Sequence, residues 1–182
     1  MNKVHVYIAC GFEEVELVTV VDILRRAGID VALVALDDEL AVRGAHDIVV
    51  QADLPFAAAG EAAMIVLPGG GPGTRRLRES AALADRLRAQ VAAGRRVAAV
   101  CAAPTVLAAA GLLRGLRACC YPGCEDALVA GGASIAAYNV TTDGLVTTSR
   151  GAGTSALFAL ELLHLLGEGD QAREIGRAML YC

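Results

Sequence analysis

Short apolar runs, each followed within a few residues by a helical pattern, constrain this chain more than any other feature. Residues 4–9 are β-branched and apolar, residues 13–27 have helical spacing that stops at Gly28, and residues 29–36 return to strand character. Strand, helix and strand in that order make a βαβ unit, whose right-handed crossover sets the two strands parallel. The polar residues 37–44 and a short strand around 48–50 read as an edge excursion. Met64–Leu67 reads as another central strand, stopped by Pro68 and the glycines Gly69, Gly70 and Gly71. Helical pattern resumes over 75–93 with a break near Ser80, and Gly94 closes it. Arg96–Val100 is the next strand, 103–110 the next helix with Pro104 in its first turn, and 116–119 a further short strand. Residues 139–140 and 145–148 flank Asp143-Gly144, a hairpin signal, and helices over 154–166 and 170–181 finish the chain.

A chain of 182 residues fits one domain with a sizeable core, and no repeat, linker or boundary interrupts it, so residues 1–182 read as a single domain. Hydrophobic residues are 55% of it but aromatics only 4%, so small Ala, Val and Leu side chains let helices approach strands closely. The expected fold class is α/β, a doubly wound three-layer α/β/α sandwich on a mostly parallel sheet. Such sheets place their sites at the carboxyl ends of the strands.

A net charge of -4 without a basic cluster beyond Arg-Arg pairs gives nucleic acid no electrostatic footprint, and a small-molecule partner is expected instead. No apolar stretch approaches the roughly 20 residues that span a bilayer, and MNKVHVYIAC lacks the apolar region and cleavage site of a signal peptide. The reading is therefore a cytoplasmic protein without membrane contact. Six cysteines (Cys10, Cys101, Cys119, Cys120, Cys124 and Cys182) in a chain of this size need no disulfide framework and read as reduced thiols.

Within VAAVCAAPT, Cys101 falls one residue past a central strand and just ahead of a helix. There the unpaired amides of a first helical turn favour an anion, so the thiol pKa is expected to fall. The small neighbours Ala99, Ala102 and Ala103 suit a sharp strand-to-helix elbow with cysteine as nucleophile, although a buried cysteine also packs as a small hydrophobe. None of the histidines is adjacent to it in sequence: His5 lies in the first strand, His164 in an apolar helix, and His46 has no assigned task. Glu13, Glu14 and Glu16 cluster in the first turn of the first helix, at the sheet edge Cys101 occupies. Favourable charge at a helix N-terminus explains two of them; the third falls on a buried stripe, and periodicity does not say which.

With these residues in hand the chain resembles the ThiJ/PfpI superfamily, in the branch of the Parkinson-disease-associated protein deglycase and its bacterial relatives. The matching stretches are GFEEVE at 11–16, VDILRRAGI at 21–29, VLPGGGPG at 66–73, AAVCAAPT at 98–105, CYPGCE at 120–125 and DGLVTTSRGAGTSALFAL at 143–160. The resemblance implies a flavodoxin-like homodimer, with Cys101 as nucleophile and Glu16 as the glutamate that hydrogen-bonds it. Gly69 and Gly70 match the family's glycine turn, whose amides, with that of Ala102, offer oxyanion support; a turn that merely needs glycine is the plain alternative. Tyr121 stands where well-studied members carry a histidine, and a phenol donates a hydrogen bond but is a poor base near neutrality. Ala102 stands where protease members place a histidine, so a peptidase reading loses its base. Ala152 replaces a proline common in the TSRGPGT block.

What the resemblance implies is cofactor-independent chemistry on reactive α-oxoaldehydes, converting methylglyoxal or glyoxal to lactate or glycolate, of glyoxalase or deglycase type. The alternative is a redox-responsive stress protein or chaperone in which Cys101 oxidises to a sulfinic acid. Cys119, Cys120 and Cys124 cluster three soft donors, but structural zinc wants four in paired spacings, so no metal is expected. GGGPGT at 69–74 lacks the G-K-[ST] ending of a phosphate loop, which argues against a nucleotide.

Overall fold

The computed structural model describes residues 3–181; Cys182 lies outside the described residues. Its central sheet runs, edge to edge, β10 (Val140–Asp143), β11 (Val146–Ser149), β7 (Arg96–Val100), β6 (Met64–Leu67), β1 (Lys3–Ile8), β2 (Asp30–Ala35) and β5 (Leu54–Pro55). All neighbours are parallel except β10 and β11, which the Asp143-Gly144 turn joins as an antiparallel hairpin. β5 was not legible as a strand, because two residues carry no alternation; its Pro55, which has no amide to donate, sits at the edge where proline is tolerated. The expected excursion at 48–50 is one arm of a separate hairpin, β3 (Ala41–Arg43) with β4 (Val49–Gln51). The strand expected at 116–119 is two residues long, β8 (Arg117–Ala118), and pairs with β9 (Ser134–Ile135) outside the main sheet.

Alternation along the strands sorts the interior into two cores, since successive side chains leave opposite faces. Val4, Val6 and Ile8 of β1, Met64 and Val66 of β6, and Ala98 and Val100 of β7 meet one apolar cluster. That cluster is completed by α1 (Glu14–Arg26) and α6 (Ser155–Leu165), with α7 (Gly169–Ala178) outside them. Tyr7, Ile65, Leu67, Val97 and Ala99 face the other way, onto α2 (Gly71–Glu79), α3 (Ala81–Ala92), α4 (Pro104–Ala109) and α5 (Glu125–Ala130). The break near Ser80 separates α2 from α3, and the Ser80 hydroxyl caps α3 by accepting the Leu83 amide at 3.2 Å. The result is the flavodoxin-like α/β/α sandwich. No helix among the described residues is long and apolar enough to cross a membrane.

Candidate active site

Cys101 sits between β7 and α4 with φ at +64°, a left-handed conformation that few residues other than glycine adopt. Two backbone bonds hold it there: its amide donates to the Ser149 carbonyl at 2.9 Å, and its carbonyl accepts the Tyr121 amide at 2.8 Å. The turn therefore aims the thiol out of the elbow while β11 and the segment at 120–124 clamp its backbone. Glu16 approaches from the first turn of α1 and is fully buried. Its Oε2 accepts the Gly69 amide at 2.7 Å, and the carboxyl hydrogen-bonds the Cys101 thiol. Oε1 is buried without a hydrogen-bond partner.

Gly69 is glycine because this pair fills the space a side chain would need. A Cβ there would lie 2.6 Å from the Cys101 Cβ and 2.7 Å from Glu16 Oε2. Gly69→Ala is thus expected to cost about 1–3 kcal/mol of stability through overpacking, measured by urea unfolding, and to push the thiol and the carboxyl apart.

The expected fall in the Cys101 pKa does not occur. Burial, then the negative charge of Glu16 and the hydrogen bond to it, push the thiol up to about 12. The helix amides do not offset this, because few are free. Those of Ala103, Thr105 and Val106 donate to the carbonyls of Val100, Ala102 and Ala103, and Pro104 has none. Only the amides of Ala102 and Gly70 favour the thiolate. Burial also raises Glu16, helped by the charge of Glu13 and opposed by the bonds from Cys101 and Gly69. Burial thus disfavours the charged form of both groups, and a proton on one lies within reach of the other.

The three glutamates that periodicity could not separate have different surroundings. Glu13 precedes α1 and donates its amide to the Gly69 carbonyl at 3.0 Å. Glu14 turns to the β3–β4 hairpin, where its carboxylate accepts the His46 amide at 2.7 Å and faces His46 Nδ1 at 2.9 Å. Burial would raise Glu14, but the bonds from His46 outweigh it and hold the carboxyl below its ordinary range; the same bond raises His46. This role of His46 had no sequence signal, since 32 residues separate the partners. Glu16 alone reaches the sulfur.

Of the other residues singled out, Gly69 does not serve an oxyanion: its amide is spent on Glu16. Gly70, at φ +88°, and Ala102 keep amides directed at the sulfur. Tyr121 is half exposed, and its ring packs 3.4 Å from where a Gly151 Cβ would stand, a point itself 4.0 Å from the Cys101 sulfur. His5 is buried in β1 and His164 exposed on α6, so neither serves the thiol. The five cysteines among the described residues are free. Cys119, Cys120 and Cys124 do not bring three ligand atoms together; among the described residues only Glu13, Glu14 and His46 do.

Residues 2–165 match the DJ-1/PfpI family. The chain belongs to that family. It is 37% identical to protein dj-1beta of Drosophila melanogaster over 177 residues, covering 96% of this chain and 95% of that protein. The crystal structure of Drosophila DJ-1beta superposes with a TM-score of 0.94 at 36% identity, covering 98% of this chain and 97% of that one. A Caenorhabditis elegans relative, glutathione-independent glyoxalase DJR-1.2, is 34% identical over 161 residues, or 87% of this chain and 84% of its own. Oxidised Toxoplasma gondii DJ-1 superposes with a TM-score of 0.93 at 36% identity, covering 99% of this chain and 98% of that one. DJ-1/PfpI proteins thus include glutathione-independent glyoxalases.

Proposed function

We propose that the protein is a cofactor-independent enzyme converting α-oxoaldehydes to 2-hydroxy acids, methylglyoxal to lactate and glyoxal to glycolate. The observation that carries it is a buried carboxylate hydrogen-bonded to a thiol at a strand-to-helix elbow, a nucleophile with its own base. Cys101 sulfur attacks the aldehyde carbon while its proton passes through Glu16 to the aldehyde oxygen, giving a hemithioacetal. Glu16 then removes the hydrogen from that carbon, and the enediol is reprotonated at the neighbouring carbon to give a thioester. Water cleaves the thioester and restores the thiol, so the sum is methylglyoxal plus water to lactic acid. The amides of Gly70 and Ala102 supply hydrogen bonds to charge developing beside the sulfur. The Tyr121 ring borders the same Gly151 position that faces the sulfur, which supports an auxiliary role for its phenol. The test is the number of lactates formed per chain from methylglyoxal without glutathione: many support the reading, and none refutes it.

The same attack on early glycation adducts would be deglycase activity. A second reading, a redox-responsive stress protein or chaperone, draws support from the accessible side of the thiol and from the oxidised Toxoplasma relative. Peroxide should then add the mass of two oxygen atoms at Cys101, and oxidation scattered over the other cysteines speaks against it. We place the enzyme in the cytoplasm as a homodimer. Val15 and Val18 on α1, Ile48 and Val49 on the hairpin and Leu157 on α6 are all exposed and apolar, a face suited to a second copy. Sedimentation should give twice the 18.7 kDa chain mass; the single mass overturns the dimer.

A further inference from the structure

We propose that Gly151 is a specificity-determining residue: the side chain it lacks leaves a recess between the Cys101 sulfur and the Tyr121 ring that receives the substituent on the keto carbon of the α-oxoaldehyde and favours a small apolar one. The inference deepens the enzymatic reading above and rests on it. A Cβ at Gly151 would meet Tyr121 Cδ2 at 3.4 Å, Tyr121 Cε2 at 3.9 Å and the Cys101 sulfur at 4.0 Å. These are ordinary van der Waals distances, so packing does not forbid a side chain there. Gly69 differs, because its Cβ would overlap Cys101 and Glu16, and Gly11 and Gly70 differ because their φ angles of +87° and +88° favour glycine. The Gly151 backbone is extended, at φ 160°. What a side chain at 151 would do is occupy the tyrosine side of the sulfur.

The other approaches to that sulfur are taken. Gly69 and Glu16 close in on one side, and the amides of Gly70 and Ala102 act on it as well. A carbon bonded to the sulfur on the side of Gly151 would stand nearer still to the Cβ position, so alanine would crowd the adduct where glycine admits it. Gly151 is buried and Tyr121 half exposed, so a group placed in the recess leaves water for a ring and a bare stretch of backbone. Such surroundings suit an apolar substituent.

This wall is fixed relative to the nucleophile, since both are tied to Ser149. The Gly151 amide donates to Thr154 Oγ1 at 3.0 Å, and its carbonyl accepts the Thr154 amide at 2.9 Å. Thr154 Oγ1 lies 2.7 Å from Ser149 Oγ, and the Ser149 carbonyl accepts the Cys101 amide at 2.9 Å. The width of the recess is therefore set by the fold. The reaction is the one already written, because the substituent gains and loses no bond; it is a methyl group in methylglyoxal and a hydrogen in glyoxal.

The test takes two kcat/KM ratios, methylglyoxal to glyoxal and phenylglyoxal to methylglyoxal, in the wild-type chain, Gly151→Ala, Tyr121→Ala and Tyr121→Phe. Gly151→Ala should lower the first ratio about tenfold or more, the size of effect one carbon has in a fitted pocket. Tyr121→Ala removes the opposite wall and should raise the second ratio, whereas Tyr121→Phe keeps the ring and should leave both ratios in place. Ratios that move in neither Gly151→Ala nor Tyr121→Ala overturn the inference. If Gly151→Ala does not fold, the two Tyr121 variants decide it. Labelling of Cys101 with iodoacetamide and with N-ethylmaleimide, followed by mass spectrometry, reads the recess without turnover: Gly151→Ala should slow the bulkier maleimide more. That result in a chain forming no lactate supports the recess and strikes the enzymatic reading alone. Lactate formation with ratios and labelling rates that Gly151→Ala leaves unchanged sinks the recess alone.

Discussion

Cys101→Ser is expected to lower lactate formation from methylglyoxal at least about thousandfold, with no loss of folded structure. The hydroxyl fits where the sulfur was and the clamp on the backbone, through Ser149 and Tyr121, involves no side-chain atom of residue 101. What changes is the nucleophile: an alcohol beside the Glu16 carboxylate is harder to deprotonate than a thiol and attacks a carbonyl more slowly. Lactate measured by a coupled assay, with circular dichroism on the same sample, checks both halves. Turnover within tenfold of the wild-type chain would place the chemistry on another residue.

Glu16→Gln should move two readouts in opposite directions. Turnover should fall about 10²- to 10⁴-fold, because an amide cannot accept the thiol proton or remove one from carbon. Alkylation of Cys101 at mildly alkaline pH should become faster. In the wild-type chain the Glu16 charge is one of the causes that push the thiol up to about 12, and an uncharged neighbour removes it. The sign follows from which form is penalised: a negative carboxylate disfavours a second negative charge beside it, so its loss favours thiolate at a lower pH. A slower alkylation in Glu16→Gln would mean instead that a protonated Glu16 normally stabilises the thiolate. Rates of iodoacetamide labelling across a pH series separate the two.

Much of this fold and site is legible in the sequence, for identifiable reasons. The βαβ order and the Asp143-Gly144 turn are written in local periodicity and turn chemistry, and both appear in the sheet. Cys101 at a strand end follows from the run VAAVC and the proline after it. Its ionisation did not, because that depends on which neighbouring amides are already spent, a matter of three-dimensional bonding at Ala103, Thr105 and Val106. Gly69 illustrates the same limit: its place in the turn is visible, but the partner of its amide lies 53 residues away on α1. Short elements such as β5 and α5 escaped because two to six residues carry too little pattern to distinguish them from a loop.

The two cores on either face of the sheet contribute unequally to the thiol's surroundings. Glu16 is supplied by α1, packed on one face, whereas the elbow leads into α4 on the other, and only the sheet edge joins them. A chain that had docked α4 but not yet α1 would carry an ordinary, unguarded sulfhydryl, open to any electrophile and unable to release what it captured. The proposed chemistry therefore requires both helical layers in place on the sheet, and loss of the α1 layer alone would strip the sulfhydryl of its base.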